Sequence, residues 1–188
     1  MTLIVVMLIL VVVMILGVGG AQIALLGERS TRYDRDYLIA SQAAEAALMD
    51  AEFDIAGPNN SGGNRVAQFT QASTGAFKDN CAGTGTSLGL CNPTLPGTTP
   101  VWAAVDFTDA TKTVTFGQFT GRSYASQPGL SVGIQPALWP HYIIEVVPDM
   151  AIRGDASVAG QKIMYRITAM GFGPRQDVQV VMQTSFRK

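Results

Sequence analysis

The N-terminal 27 residues contain no ionisable side chain, and no other feature of the sequence limits the possible folds as strongly. The segment reads MTLIVVMLILVVVMILGVGGAQIALLG, and every charged residue of the chain lies at or after Glu28. As an α-helix rising about 1.5 Å per residue it would be about 40 Å long, which exceeds the roughly 30 Å hydrocarbon core of a bilayer. Residues 1–27 are therefore predicted to form a transmembrane helix, with an ordinary signal anchor as the alternative interpretation.

The next residues, 28–56, have the period of an amphipathic helix. The polar face contains Glu28, Arg32, Arg35, Gln42, Glu45 and Glu52. The apolar face contains Tyr33, Tyr37, Ala40, Ala44, Ala47, Leu48, Ala51 and Ile55. Gly57 and Pro58 end the pattern, because proline cannot continue a helical hydrogen-bond ladder. The sequence thus predicts one long helix, apolar throughout its first half and with one face to bury in its second.

Three glycines interrupt the apolar half of this helix. Gly17, Gly19 and Gly20 fall within four residues, and each destabilises a helix interior by about 1 kcal/mol relative to alanine. We expect the helix to stay continuous there in lipid, where an opened backbone finds no hydrogen-bond partner. In a packed assembly of chains the same segment could extend, so it is the predicted weak point of the helix.

Residues 57–100 are predicted to be mainly loop, because 27 of these 44 positions are Gly, Pro, Ser, Thr or Asn. Cys81 and Cys91 lie within this segment. A disulfide between them would stabilise a segment that has few core residues, and it would place the domain outside the cytosol. The alternative is two free buried thiols in a reducing compartment.

Beyond residue 100 the apolar residues alternate with a period of two. Four segments are rich in β-branched and aromatic residues and are predicted to be antiparallel strands: 113–120, 141–147, 162–170 and 178–186. The amphipathic half-helix is the largest apolar surface available to cover such a sheet. The predicted fold is therefore α+β, with a long N-terminal helix packed on a C-terminal antiparallel sheet. The expected domains are the half-helices 1–27 and 28–56 and a globular domain 57–188, loop-rich over 57–100 and forming the sheet over 101–188.

Composition disfavours several classes of function. The net charge is −1, and no cluster of Lys or Arg provides the basic surface that a nucleic-acid partner requires. A single histidine and two cysteines are too few for most metal or haem sites, so we expect no cofactor. His141 opens a strand with no nucleophile motif near it, which argues against an enzyme. Asp106 and Asp109 are better explained as turn caps than as calcium ligands.

The aromatic residues leave two interpretations open. Trp102, Trp139, Phe69 and Phe77 could form a contact surface, because aromatic side chains dominate the energetics of interfaces. Side chains of this kind more often belong to a core, and the core interpretation is favoured here.

Three stretches carry a resemblance to a known family: the start MTLIVV, the run SQAAEAALMDAE, and the terminal segment YRITAMGFGPRQDVQVVMQTSF. Together they resemble a type IV pilin of the PilX minor-pilin class. The resemblance covers the first 55 residues well and residues 141–188 moderately, whereas no resembling stretch is recognised in residues 56–140.

The resemblance implies how the N-terminus is made. A basic leader upstream would be removed after a glycine by a prepilin peptidase that also methylates the new amine, so that Met1 becomes the first mature residue. The assembly segment Thr2, Leu3, Ile4 and Val5 follows. Major pilins typically have glutamate where this chain has Val5, and that glutamate is taken to pair with the amine of a neighbouring subunit. Valine at this position resembles minor pilins thought to lie at or near the filament tip.

The resemblance also implies a location, partners and a function. The chain would be a single-pass inner-membrane protein with a periplasmic globular domain before assembly, and part of an extracellular filament afterwards. Its partners would be other major and minor pilins through the N-terminal helix, the inner-membrane assembly machinery, the prepilin peptidase and, as one option, a tip adhesin. The function hypothesis is a minor pilin that primes pilus assembly or supports adhesion. The alternative is a single-pass membrane-anchored periplasmic binding or enzyme domain.

Overall fold

The computed structural model describes residues 2–59, 63–71, 74–124, 133–148 and 163–188. The chain divides into two compact units, Met1–Asp36 and Tyr37–Lys188. Helix α1 (Thr2–Ala56) contributes its first part to one unit and its second part to the other. It ends where the sequence predicts, because Gly57 adopts a left-handed backbone (φ 75°) and its N–H caps the carbonyl of Phe53 at 2.7 Å.

The second unit builds a sheet on the remainder of α1. Its other elements are β1 (Leu90–Cys91), α2 (Val101–Ala104), β2 (Val114–Thr115), β3 (His141–Pro148), β4 (Ile163–Phe172) and β5 (Gln179–Phe186). Within the described residues the strands lie in the order β1-β3-β4-β5, and β2 also pairs with β3. All pairs are antiparallel except β1 with β3. The predicted α+β class and helix-on-sheet arrangement are confirmed, with one short parallel pair added to the antiparallel strands.

The alternation predicted for the last strand is present in the structure. The packed face of this segment carries Val178, Val180, Met182 and Phe186, which are buried or half-buried. The opposite face carries Gln179, Gln183 and Ser185, which are exposed. Antiparallel strands with one packed and one solvated face have this pattern. The hairpin before β5 is closed by the N–H of Gly173, which donates to the carbonyl of Val178 at 2.8 Å.

The second part of α1 covers the packed face of the sheet with a row of small side chains. The fully buried members of the row are Ala40, Ala43, Ala44, Ala47, Ala51 and Ile55. The helix approaches the sheet most closely at Gly171 of β4, where a Cβ would lie 2.1 Å from the Ala40 carbonyl oxygen and 2.3 Å from the Ala44 nitrogen. No larger residue fits this position unless the two backbones separate.

Two of the predicted helix-face residues are not buried. Tyr33 and Tyr37 are 57% and 52% exposed, although the helical period places them on the apolar face. Burial of the alanine row starts at Ala40. The period identifies the side of a helix that can be buried, but it does not indicate where along the helix the sheet begins.

The predicted strand at 113–120 was wrong over most of its length. Only Val114 and Thr115 pair with β3, and the chain then turns. Gly117 adopts a positive φ of 79°, and a Cβ there would lie 2.0 Å from the carbonyl oxygen of Arg122. The turn bends the segment back towards α1, where the Gly117 N–H and the Thr120 hydroxyl donate hydrogen bonds to the buried carboxylate of Asp50.

The described residues of region 57–100 form only short elements, as the composition predicts. Short 3₁₀ turns occur at Val66–Gln68, Asp79–Cys81 and Gly85–Ser87, followed by the two residues of β1. The region nevertheless supplies core residues. Phe69 packs edge-on against Tyr165 with ring centroids 5.4 Å apart, and Phe77 stacks on Tyr165 at 6.0 Å. The core interpretation of Phe69 and Phe77 is therefore confirmed.

Candidate assembly site

Residues 2–27 of α1 present apolar side chains around the whole helix. All of these residues are exposed except Gly19, which is half-buried. The helix is long and apolar enough to cross a membrane, and none of its most apolar 18-residue window is buried within the described chain. An exposed apolar surface of this extent is unfavourable in water. It requires either lipid or other apolar helices as its surroundings.

The predicted assembly segment opens this surface. Leu3, Ile4 and Val5 are helical and 73%, 65% and 55% exposed, and Thr2 is the first residue of α1. Met1 lies outside the described residues, so its processing stays a prediction. No side chain from Thr2 to Val5 carries a charge, and the segment therefore offers apolar contacts and a single hydroxyl to whatever it meets.

The helix is unbroken at the three glycines of the predicted weak point. A Cβ built at Gly17, Gly19 or Gly20 meets no atom within 4 Å. Packing among the residues that the structure describes therefore gives no reason for glycine at these positions. Their effect on a subunit packed among other subunits stays a prediction.

A fully buried ion pair ties α1 to the loop-rich region. Arg65 Nε lies 3.0 Å from each carboxylate oxygen of Asp54, and Arg65 Nη2 lies 2.6 Å from Oδ2. Both side chains are 0% exposed. The hydroxyl of Tyr142 on β3 donates to the same Oδ2 at 2.9 Å. Burial, together with the negative charge of Asp54, raises the pKa of Tyr142 well above its usual value, so the phenol stays neutral and donates.

The remaining donors of Arg65 bind the loop backbone. Its Nη1 donates to the carbonyl of Thr86 at 3.0 Å and to the carbonyl of Leu88. Its guanidinium carbon lies 3.8 Å from the ring centroid of Phe119, in cation–π contact. Arg65 thus connects the helix, the 3₁₀ turn that contains Thr86 and the turn that follows β2.

Asp50, one helical turn before Asp54, binds the turn at residues 117–122. Its carboxylate accepts hydrogen bonds from the N–H of Gly117 at 2.7 Å and from the hydroxyl of Thr120. Burial raises the pKa of Asp50, although the hydrogen bond from Thr120 opposes this shift. The guanidinium carbon of Arg122 lies 3.4 Å from the ring centroid of Phe53 on the same helix. These contacts hold the turn against the second part of α1.

The predicted disulfide is present on the other side of the sheet. The sulfur atoms of Cys81 and Cys91 are bonded at 1.99 Å, and both residues are fully buried. They pack in a small core with Val101, Phe107 and Ile143. Because Ile143 alternates with Tyr142 along β3, this core lies on the face of the sheet opposite α1. The disulfide therefore staples part of the loop-rich region to the back of β3.

The side chain of His141 contacts residues that belong to the fold around β3. Its Nδ1 lies 2.8 Å from the Thr113 hydroxyl oxygen, and its ring meets Phe172 edge-on at 6.2 Å. Burial lowers the pKa of the imidazole, which is therefore neutral at pH 7. Thr113 also donates towards the loop carbonyl of Asp109 at 2.9 Å. The contacts support β3 and the loop before β2.

Asp106 and Asp109 cap turns, in agreement with the favoured interpretation. Asp106 accepts hydrogen bonds from the N–H and the hydroxyl of Thr108, and Asp109 accepts the same pair from Thr111. In each case the side-chain hydrogen bond is the main cause that lowers the pKa of the carboxyl. Both residues are engaged locally, as Asx turns require.

Sequence reasoning missed the buried charges. Asp50 and Asp54 are spaced i, i+4 on the helix face that otherwise carries alanines, and Arg65 is one of three charges in residues 57–100. Acidic residues within an apolar stripe are a usable signal, because a buried carboxylate requires a partner. The pairing of Asp54 with Arg65 depends on the fold of the intervening loop and has no local sequence signature.

Family comparison divides the chain into two matched segments. The PilX N-terminal profile matches residues 1–48, and the profile described as Type IV pilus assembly protein PilX C-term matches residues 87–188. The chain belongs to the PilX family of type IV pilus assembly proteins. No individual curated protein and no solved structure matches it.

Membership of the PilX family confirms the resemblance and makes this chain a component of pilus assembly. The N-terminal profile covers the exposed apolar half of α1 and the first alanines that contact the sheet. The C-terminal profile covers every strand of the described sheet. Residues 49–86 lie between the two matches and contain Asp50, Asp54, Arg65 and Cys81. The two matched segments pack directly on each other where Ala40 and Ala44 meet Gly171, and residues 49–86 add the buried ion pair to this contact.

Proposed function

We propose that this PilX chain is a minor pilin, a structural subunit that enters a type IV pilus by its apolar half-helix and catalyses no reaction. The observation that carries the proposal is α1, in which an uncharged, exposed segment continues without a break into a segment buried against the sheet. Lipid and a bundle of apolar helices have similar polarity, so one surface serves for storage in the inner membrane and for burial in a filament. Extraction then depends on the assembly machinery and on packing, with little hydrophobic gain.

The proposed division of labour follows the helix. Residues 1–27 anchor the subunit and later pack in the filament core, residues 28–56 form the amphipathic half-helix, and residues 57–188 form the periplasmic and later extracellular domain. A subunit pulled from the membrane by its helix needs a domain that cannot detach. The buried pair of Asp54 and Arg65 and the close approach at Gly171 support such a connection.

The proposed position is at or near the filament tip. Val5 cannot pair with the amine of a preceding subunit, and a first-entering subunit has no preceding amine to pair with. In this position the chain primes assembly or supports adhesion, with major and minor pilins, the inner-membrane machinery and a tip adhesin as partners. The prepilin peptidase would produce and methylate the amine of Met1.

Antibody labelling of fibres tests both the subunit role and its position. Fibres sheared from cells are labelled with gold against the globular domain, and fibres from cells that lack the chain serve as the background. Label at fibre ends supports a tip subunit, and label along the shaft would overturn the tip position. A chain found only in the cell envelope would overturn the pilin role and favour the membrane-anchored periplasmic domain.

A further inference from the structure

Two adjoining hollows lie beside the disulfide, on residues that the pilin role does not use. Their volumes are about 670 and 360 Å³. They share Asn80, Thr94, Thr99 and Val101, so they form one continuous groove. We call this surface the Asn80 groove. It is open to solvent and lies entirely within the second unit of the chain.

The polar floor of the Asn80 groove is held rigidly. Asp79 and Asn80 come directly before Cys81, and Asn92 comes directly after Cys91, so the disulfide anchors both sides. The amide of Asn92 donates to the carboxylate of Asp79 at 2.9 Å. Behind these side chains, the Lys78 N–H donates to the Leu90 carbonyl at 3.0 Å, and the Asn92 N–H donates to the Lys78 carbonyl at 2.9 Å. Groups fixed in this way lose little freedom when they bind a ligand.

Asn80 has an unusual backbone conformation for a residue other than glycine. Its φ of 54° and ψ of 25° lie in the left-handed region, which costs free energy for most side chains. Its side chain lines both hollows. The adjacent Cys81 has the same φ of 54°, so one left-handed turn carries both the disulfide and the residue that lines the two hollows.

The side chains that line the Asn80 groove indicate which class of ligand it can bind. The polar groups are amides, hydroxyls and a single pair of opposite charges, Asp79 and Lys112, so the groove has no net charge. A nucleic acid or other polyanion would need an excess of basic groups. A purely apolar ligand would leave the amides and hydroxyls without partners. Planar carboxylate and amide groups can each make two parallel hydrogen bonds, which suits neighbouring hydroxyls on a ring.

We propose that the Asn80 groove binds a neutral oligosaccharide. Asp79, Asn80 and Asn92 hydrogen-bond to vicinal hydroxyls of the sugar, and the apolar atoms of Pro93 and the exposed Leu95 contact its C–H face. Because the two hollows share walls and have volumes of about 670 and 360 Å³, the groove has room for two or more linked sugar rings. This site goes beyond the pilin role and does not depend on the position of the chain in a filament.

The test is direct binding to the full chain in micelles. A polyoxyethylene detergent is used, because alkyl maltosides carry a sugar headgroup that would compete. The probes are maltotetraose, mannotetraose, chitotetraose and lacto-N-tetraose, with a heparin hexasaccharide as the charged comparison, and binding is measured by saturation-transfer NMR and titration. We expect at least one neutral tetrasaccharide to bind in preference to the heparin fragment.

Two variants locate the binding. Asn80→Gly removes the amide and keeps a residue that tolerates the left-handed backbone, and Asp79→Ala removes the carboxylate. Each is expected to weaken sugar binding about tenfold or more, as the loss of a pair of hydrogen bonds implies. Gln42→Ala removes an exposed amide far along the sequence and should leave binding unchanged. Thermal unfolding shows whether each variant is folded, and Asn80→Gly keeps the test valid if Asp79→Ala unfolds.

Three results would overturn the proposal: no neutral sugar binds at millimolar concentration, the heparin fragment binds best, or Asn80→Gly binds as well as the unchanged chain. The assay uses the purified chain and requires no fibres. A failure of the minor-pilin role would therefore leave this result readable, and a failure here would leave that role intact.

Discussion

At the scale of single residues, the ion pair of Asp54 and Arg65 joins α1 to the rest of the second unit. Taking two charges out of water costs several kcal/mol, and the cost is offset only when their hydrogen bonds are complete. Here Arg65 binds both oxygens of Asp54 and two loop carbonyls, and Tyr142 adds a donor to the carboxylate. Removing one partner leaves the other charge buried and unpaired, so the two side chains are energetically coupled.

We expect Asp54→Ala or Arg65→Met to lower the free energy of unfolding by about 3 to 5 kcal/mol, because each leaves an uncompensated buried charge. The double variant should cost less than the sum of the two, since it leaves neither charge behind. Urea unfolding of the full chain in detergent, followed by the fluorescence of Trp102 and Trp139, measures these values. Single variants that each cost less than about 1 kcal/mol, or that simply add, would contradict the described pair.

The sequence indicates which residues are unusual in this region but not how they pair. Asp50 and Asp54 stand out on an alanine-rich helix face, because carboxylates rarely remain buried without partners. Their partners are an arginine 11 residues after Asp54 and a turn that begins at Gly117. These contacts exist only after the loops fold back, and periodicity carries no information about that step.

At the scale of elements, the distance between α1 and β4 is set by small residues on both sides. Gly171 lies so close to the Ala40 carbonyl and the Ala44 nitrogen that no space is left for a Cβ atom. Alanines at successive turns extend this contact along the helix. The helix and the sheet are therefore packed backbone against backbone at this point.

We expect Gly171→Ala to lower the free energy of unfolding by about 1 to 3 kcal/mol or more, because the helix and the strand must move apart. Gly27→Ala is the matched control, since a Cβ there meets nothing within 4 Å and alanine favours a helix. Both are measured by urea unfolding of the full chain. Equal stability of Gly171→Ala and the unchanged chain would contradict the close packing.

The disulfide between Cys81 and Cys91 is also expected to stabilise the packing of the loop-rich region on the sheet. Replacing Cys81 and Cys91 together by serine should lower the free energy of unfolding by about 2 to 4 kcal/mol, because the loop is no longer closed in the unfolded chain. Alkylation of the unreduced, denatured chain followed by mass measurement checks the bond itself. Labelling of both thiols without reductant would show that the bond is absent.

Element prediction succeeded where one local pattern was enough. The β-branched and aromatic residues at 141–147, 162–170 and 178–186 predicted β3, β4 and β5, although β3 is buried on both faces and only β5 alternates between packed and exposed residues. The segment 113–120 has the same composition but turns at Gly117 to reach Asp50, and a tertiary contact overrides its strand propensity. The parallel pairing of β1 could not be foreseen from a two-residue strand.

At the scale of the whole molecule, residues 2–27 form an apolar segment that no described part of the chain covers. This segment needs lipid or the apolar helices of other subunits around it. The helix is continuous at Gly17, Gly19 and Gly20, and no described residue packs closely enough to require glycine there. Lipid penalises an opened backbone, whereas neighbouring subunits could satisfy it. We therefore propose that the glycines act when the chain leaves the bilayer.

We expect replacement of Gly17, Gly19 and Gly20 together by alanine to leave membrane insertion intact and to reduce incorporation into fibres, because the stiffened helix cannot extend in a crowded core. Immunoblots compare the amount of chain in sheared fibres with the amount in membranes. Gly27→Ala serves as the control for a single added methyl group. Equal incorporation of the triple variant and the unchanged chain would rule out the proposed weak point.

The central claim is that this PilX-family chain becomes a processed subunit of the fibre. The most direct measurement is mass spectrometry of its N-terminal peptide, taken from the chain recovered in sheared fibres. We expect a peptide that begins at Met1 with a methylated amine and no upstream residues. A chain that keeps a leader, or that carries a formylated starting methionine in the assembled fibre, would contradict it.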